Sequence, residues 1–281
     1  MKRIIIVLIL LSAGICFIGS SCKQQKSEGK LFIIGGVSTL DLVDKMIEVS
    51  GLDKGGYGVI LPMASEIPDS AIIEVSVDFI NKGCKMYGLQ FRKGEPCPQS
   101  RIDSIRNARL IYISGGDQSR FMEAIAGTPI QNAIHEVFNK GGLVCGSSAG
   151  AAVMSKTMIT GNELKYPNND ETFVTIETGN IEIKEGLGML VNVIIDQHFI
   201  KRKRLNRLVT ECIENPKKMC VGIDESTAIF VDGNKATVFG KSQVVVIRNL
   251  SSETKVQNGL LGAENLRLDV YLPGQSFRIL N

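Results

Sequence analysis

Histidine is almost missing from this sequence. Its 281 residues hold two, His135 and His198, and no tryptophan. Chemistry that needs an imidazole therefore has two places to find one. An excess of charge of one sign is missing too. The formal net charge is +3, and Lys2 and Arg3 supply two of those charges from the extreme N-terminus. So even a balance speaks against general nucleic-acid binding, which needs a surplus of Lys and Arg. Metal-ligand spacing is absent among the cysteines. Cys84, Cys97, Cys145, Cys212 and Cys220 remain after Cys16 and Cys22, and that set is odd in number. Buried free thiols fit it better than a disulfide framework, with a single bridge left open as the alternative. Repeats and low-complexity tracts are lacking as well. What is present is 44% apolar sequence with modest charge, which favours a packed core and excludes global disorder.

The longest apolar run, Ile4 to Ile18, is short for a membrane span. With Lys2 and Arg3 before it and Gly19-Ser20-Ser21-Cys22 after it, it reads as a secretory signal over residues 1–21. A cysteine directly after small residues resembles a bacterial lipoprotein box, with Cys22 as the lipidated first residue of the mature chain. Residues 22–29 are polar and suit a tether. The expectation is an exported protein, lipid-anchored to a bacterial membrane through Cys22.

From residue 30 onward, short apolar runs alternate with amphipathic stretches. Strands are expected at Lys30–Ile34, Gly58–Leu61, Lys85–Gln90, Leu110–Ile113, Leu143–Cys145, Val191–Ile195 and Met219–Ile223. Helices are expected from Ser38 or Thr39 to Ser50, and over Asp69–Lys82, Gln99–Asn107, Gln118–Ala126 and Pro129–Asn139. Another should follow His198, carrying Lys201 to Arg204 and Arg207. This alternation predicts an α/β fold, a doubly wound and mostly parallel sheet covered on both faces. After Thr227 the runs shorten, with Asp232-Gly233 marking a hairpin. Residues 226–281 thus read as an antiparallel β-rich extension of a single domain spanning 30–281. Residues 156–190 are polar and contain Pro167, Asn168, Asn169 and Asp170. They read as a lid or a loop framing substrate.

Ligands of such sheets bind outside the carboxyl ends of the strands. Three chemically informative segments fall there. Gly146-Ser147-Ser148-Ala149-Gly150 fits G-x-S-x-G between a strand and a helix, the context of a nucleophile elbow. Cys145 lies in the strand before it and should point into the core, which leaves Ser148 as the nucleophile. A serine nucleophile needs a base. His135 lies mid-helix and reads as a packing residue, whereas His198 follows a strand at the same edge as Ser148. Asp224 and Glu225 end the next strand, and either could orient the imidazole. An α/β-hydrolase fits less well, because its order is serine, acid, histidine and no histidine follows His198.

Four segments together carry a family resemblance. They are Gly115-Gly116-Asp117-Gln118, the Gly146–Ala151 elbow, Asp196-Gln197-His198-Phe199 with Arg202, Arg204, Arg207 and Leu208, and Gly222-Ile223-Asp224-Glu225. In this order they resemble the serine peptidase family that holds the cyanophycinases and peptidase E, and among these the chain looks like a cyanophycinase. The resemblance implies a flavodoxin-like fold related to class I glutamine amidotransferases, with serine in place of cysteine at the elbow. It implies a triad of Ser148, His198 and Glu225, and so favours Glu225 over Asp224. It implies an oxyanion hole from the N–H groups of Gly116 and Ala149. It implies that Gln118, Asp196, Gln197, Arg202, Arg204 and Arg207 hold a β-aspartyl-arginine unit, with the arginines on carboxylates and an acid such as Asp196 on the guanidinium. A homodimer is expected, and neither metal nor organic cofactor. The alternatives are a peptidase for other aspartyl or isoaspartyl peptides and a non-catalytic, peptide-binding lipoprotein. Ser147 stands where the family pattern has threonine.

Overall fold

The computed structural model describes residues 29–167 and 173–279. The expected leader, Cys22, nearly all of the tether, and Asn168 to Asp170 lie outside the described residues. In chain order the elements are β1 (Lys30–Ile34), α1 (Leu40–Ser50), β2 (Gly58–Leu61), α2 (Pro68–Asn81), β3 (Met86–Gly88), α3 (Gln99–Arg106), β4 (Leu110–Ile113), α4 (Gln118–Ile125), α5 (Pro129–Asn139), β5 (Leu143–Ser147) and α6 (Ala149–Ala152). The second half holds β6 (Thr157–Glu163), β7 (Ile181–Glu185), β8 (Val193–Gln197), α7 (Leu205–Glu214), β9 (Met219–Ile223), β10 (Thr227–Asp232), β11 (Lys235–Gly240), β12 (Val244–Asn249), β13 (Lys255–Gln257), β14 (Leu260–Gly262), β15 (Leu266–Tyr271) and β16 (Ser276–Arg278).

The main sheet runs β16-β11-β10-β1-β5-β4-β2-β3. Its β1-β5-β4-β2-β3 part is parallel throughout. The period of two in each strand explains the two layers of helices. Leu31 and Ile33 of β1 pack with Ile111, Val144 and residues of α3, α4 and α5. Phe32 and Ile34 pack on the opposite face with Cys145, Tyr112 and residues of α1 and α2. Cys145 is fully buried there, as expected of a strand residue.

One sheet was expected to hold all the long strands, but β8 and β9 form a second one, ordered β15-β12-β9-β8. Val193, Ile195, Val221 and Val246 of that sheet join the first core cluster, whereas Ile194, Cys220 and Ile247 face α7. The antiparallel C-terminal strands are shared out accordingly. β10, β11 and β16 widen the first sheet beside β1, and β12 and β15 widen the second. Asp232 pairs with Lys235 across the expected hairpin.

The segment 156–190 is not the open loop its polarity suggested. It contains the antiparallel pair β6–β7, whose Ile159 and Ile181 pack under α7. The α1 start also differs from expectation. Thr39 is the N-cap residue, yet neither the Ser38 nor the Thr39 side chain caps the helix. Gly51 ends the helix in the left-handed region, as expected. All five cysteines among the described residues are free thiols.

Candidate active site

β5 carries the chain to Ser147, and α6 begins at Ala149. Ser148 between them has φ 54 and ψ −109. That conformation costs an L-residue about 1–3 kcal/mol and lifts the side chain off the sheet edge. Two hydrogen bonds hold the turn in place. The Ser148 N–H donates to the Ile34 carbonyl at 3.0 Å, and the Ser147 hydroxyl donates to the Gly36 carbonyl at 2.7 Å.

His198 follows β8 directly and also has a positive φ, 49. Its N–H donates to the Gly35 carbonyl at 2.5 Å, which ties the end of β8 to the turn after β1. The ring lies between two partners. Nε2 is 2.9 Å from Ser148 Oγ, and Nδ1 is 2.8 Å from Glu225 Oε1. With the ring proton on Nδ1, toward Glu225, Nε2 is left to accept from the serine hydroxyl. Gly36 makes room for this: a β-carbon there would stand 2.6 Å from His198 Cε1 and 3.0 Å from Glu225 Cγ.

The choice between the two acids ending β9 is resolved by their partners. Asp224 Oδ1 accepts from the N–H groups of Ile200 and Lys201, and Oδ2 accepts from the Ser242 hydroxyl. It shapes the turn after His198, whereas Glu225 meets the ring.

Burial lowers the pKa of His198, and the positive charges of Arg202 and Arg204 lower it further, against the opposing effect of the hydrogen bond that the ring donates to Glu225. The imidazole is thereby held neutral near pH 7, the form a general base requires. His135, by contrast, sits half-buried on α5 and bonds the Leu187 backbone.

The turn after β4 meets the elbow. A β-carbon on Gly115 would lie 3.4 Å from Ser148 Cβ. The next residue, Gly116, has φ 133, and a β-carbon there would collide with the Ala64 carbonyl. Asp117 accepts from the N–H groups of Ser119 and Arg120 and so starts α4. The N–H groups of Gly116 and Ala149 make no hydrogen bond among the described residues.

Five of the six polar residues expected around substrate are tied into the protein itself. Gln118, buried, donates through Nε2 to the carbonyls of Ile159 and Thr160 and so joins α4 to β6. Asp196 and Arg207 form a two-point ion pair, both fully buried. Asp196 Oδ1 also accepts from the Gln197 N–H at 2.7 Å. Arg204 Nη1 donates to the backbone and side-chain oxygens of Gln197 at 2.6 and 2.8 Å. Burial, with Arg207 next to it, lowers the pKa of Arg204 to about 10. Asp196 thus meets Arg207 through both its oxygens. Arg202 differs from the other five: α7 starts only at Leu205, so Lys201 to Arg204 lie in the turn before the helix that was expected to carry them, and Arg202 is exposed there.

A cavity of about 380 Å³ opens on Ser148 and His198, lined further by Ser38, Ser114 and Gly115 and by the facing side of α2. Sequence reasoning missed Gly36 and the α2 wall. Gly36 follows β1 as Gly35-Gly36, a pair that by itself suggests only a turn. Nothing local marks α2 as facing the elbow.

Residues 31–239 match Peptidase family S51. The chain belongs to that family. This S51 member is a serine-type peptidase. It is 30% identical over 268 residues to the cyanophycinase of Nostoc sp., an alignment covering 91% of this chain and 87% of that one. It is 33% identical over 177 residues to the cyanophycinase of Synechococcus elongatus, covering 60% and 52%. It is 27% identical over 167 residues to peptidase E of Actinobacillus pleuropneumoniae, covering 56% and 65%. Among solved structures, a peptidase from an acI-B1 Actinobacterium superposes with a TM-score of 0.67 at 20% identity, covering 90% of this chain and 98% of that one. A putative peptidase E from Listeria monocytogenes gives 0.54 at 20% identity, covering 76% and 99%. These two likenesses concern the fold, which is α/β with a mostly parallel centre.

Proposed function

We propose that this S51 peptidase hydrolyses cyanophycin, multi-L-arginyl-poly-L-aspartate, and releases β-Asp-Arg dipeptides through an acyl-enzyme. The observation that carries the chemistry is the continuous chain Ser148 Oγ, His198 Nε2, His198 Nδ1, Glu225 Oε1, with links of 2.9 and 2.8 Å. The substrate rests on the likeness to cyanophycinases over nine-tenths of the chain.

In this mechanism His198 takes the Ser148 proton as the oxygen attacks the carbonyl carbon. Glu225 keeps the ring oriented and stabilises the imidazolium. The free N–H groups of Gly116 and Ala149 receive the oxyanion, a contribution of about 3–4 kcal/mol per donor in comparable sites. His198 then gives its proton to the leaving nitrogen, and water releases the acyl group from Ser148. Arg202 is the cation best placed to meet a substrate carboxylate. Arg204, Arg207, Asp196, Gln197 and Gln118 serve by holding the β8–α7 and β6 edges of the site in place.

A second assignment, to other aspartyl or isoaspartyl peptides, is favoured by the peptidase E relatives. Incubating leaderless protein with the polymer tests the first. Release of β-Asp-Arg that disappears in Ser148→Ala is the expected result, and no release, or release indifferent to that change, overturns it. A panel of α- and β-aspartyl dipeptides with varied second residues then detects the second.

Export and lipidation at Cys22 form part of the same proposal. Growth with radiolabelled palmitate should label the full-length chain, and Cys22→Ala should abolish the label. Among the described residues no helix is long and apolar enough to cross a membrane. The homodimer expectation is tested by light scattering of the leaderless protein.

A further inference from the structure

The turn after β1 meets every segment that carries a triad residue. Its four successive carbonyls each accept from a residue at the site. The Ile34 carbonyl accepts from the Ser148 N–H at 3.0 Å, and the Gly35 carbonyl from the His198 N–H at 2.5 Å. The Val37 carbonyl accepts from the N–H of Ser226, next to Glu225, at 3.1 Å. Between them, the Gly36 carbonyl accepts from the Ser147 hydroxyl at 2.7 Å. The three N–H donors share a rarer feature. Ser148, His198 and Ser226 have φ of 54, 49 and 54. That region is costly for L-residues and persists only where the surroundings fix it. One strained residue in each of three separate segments is thus pinned to a single stretch of backbone, residues 34–37.

We infer that residues 34–37 are the frame that sets the distances within the triad, and that the Ser147 hydroxyl is a positioning group for the reaction. Of the four donors only Ser147 Oγ belongs to a side chain, so the frame depends on side-chain chemistry at that one place. Its acceptor belongs to Gly36, the residue packed against the His198 ring and Glu225. The buried Tyr112 of β4 bonds the same hydroxyl. Without that hydroxyl the Gly36 carbonyl loses its donor, and the Gly36 peptide is free to back away from the ring. This rests on the peptidase reading of Ser148, His198 and Glu225, and adds what keeps them in register.

The two histidines make the test direct, because His135 on α5 is an internal control. Both imidazoles are followed by NMR across pH in the purified protein, and Ser148 is labelled in parallel by a serine-directed phosphonate. Ser147→Ala should slow labelling by roughly 10- to 100-fold, as expected of a reacting group misplaced by up to about 1 Å. It should also move the His198 titration toward higher pH, because a ring that leaves its buried place regains water, while His135 stays unmoved. Ser147→Thr keeps a hydroxyl on the same carbon and should restore both readings. If Ser147→Ala does not fold, Ser147→Cys, a weaker donor, takes its place. A lowered melting temperature with labelling and titration unchanged would make Ser147 a packing residue and overturn the inference. So would equal losses in the alanine and threonine variants, or slower labelling with the His198 curve unmoved. Wild-type protein that takes no label would instead count against the peptidase reading, and the His198 titration would still decide the frame.

Discussion

The two sides of Ser148 are built on opposite plans. On the β8–α7 side charge is abundant, and its buried part is internally matched: Asp196 with Arg207, Arg204 with Gln197, Asp224 with backbone N–H groups, while Lys201, Arg202 and Lys203 are exposed. On the α2 side the charge is sparse and unmatched, with Glu74 and Asp78 open to the cavity. A buried charge is tolerable only when paired, so pairing fixes the first side as scaffold. An exposed carboxylate loses little by waiting for a partner, so the second side stays available to a ligand. Charged residues near a nucleophile therefore divide by burial into those that shape the site and those free to meet what enters it.

Asp196→Ala gives the sharpest test of the scaffold side. It leaves the Arg207 guanidinium buried without its counter-charge, and loss of one partner of such a pair costs about 3–5 kcal/mol. Urea unfolding should show that loss. Replacing both residues, as Asp196→Leu with Arg207→Met, should recover most of it. Glu74→Gln should change stability by less than about 0.5 kcal/mol. Similar costs on both sides would erase the contrast.

Gly36→Ala probes the joint between the two sides. The added carbon would push on the His198 ring, 2.6 Å away. Relieving that contact takes a shift of about 1 Å, and a misplacement of that order in a reacting group costs about 10²-fold in rate. Labelling of Ser148 by a serine-directed phosphonate should slow accordingly while the protein stays folded. Unimpaired labelling would mean that the ring has room that its neighbours do not show.

Much of this was legible in the chain. Apolar runs of four or five residues between amphipathic stretches marked the parallel strands, because a strand buried on both faces has no polar positions. The elbow and His198 were legible because rare residue types sat at strand ends. Partnership between residues far apart was not. Asp196 and Arg207 are eleven positions apart, and only the packing of α7 against β8 makes them a pair. Asp224 and Glu225 are adjacent carboxylates with nothing local to separate them. The division into two sheets was hidden as well, since β8 and β9 look like any other buried strands. The β6–β7 hairpin passed for a loop because both strands mix apolar with polar residues.

Glu211 offers a smaller effect on the scaffold side. Burial raises its pKa to about 8, helped by the negative charges of Glu214 and Asp196 and opposed by Lys218 and Arg207. The folded protein thus keeps a proton that the unfolded chain gives up near the ordinary glutamate value. Stability should fall as pH rises through the interval from there to about 8. Glu211→Gln should flatten that decline, so that the melting temperatures of the two proteins diverge toward pH 8 and converge near pH 4.

The smallest expected effect concerns the one arginine that behaves like the α2 side. Arg202 is exposed, yet its charge helps burial to lower the pKa of His198. The acid limb of kcat/KM reports the free enzyme's base, and here it should lie below the ordinary histidine range. Arg202→Ala should move that limb toward higher pH, while Arg202→Lys, which keeps the charge, should leave it nearly in place. A carboxylate-bearing substrate should also show a raised KM in the alanine variant, with a smaller change in kcat. If the limb stays fixed while KM rises, Arg202 meets the substrate without influencing the imidazole. If the limb moves and KM does not, its contribution is to the base alone, and carboxylate recognition must come from elsewhere on the rim.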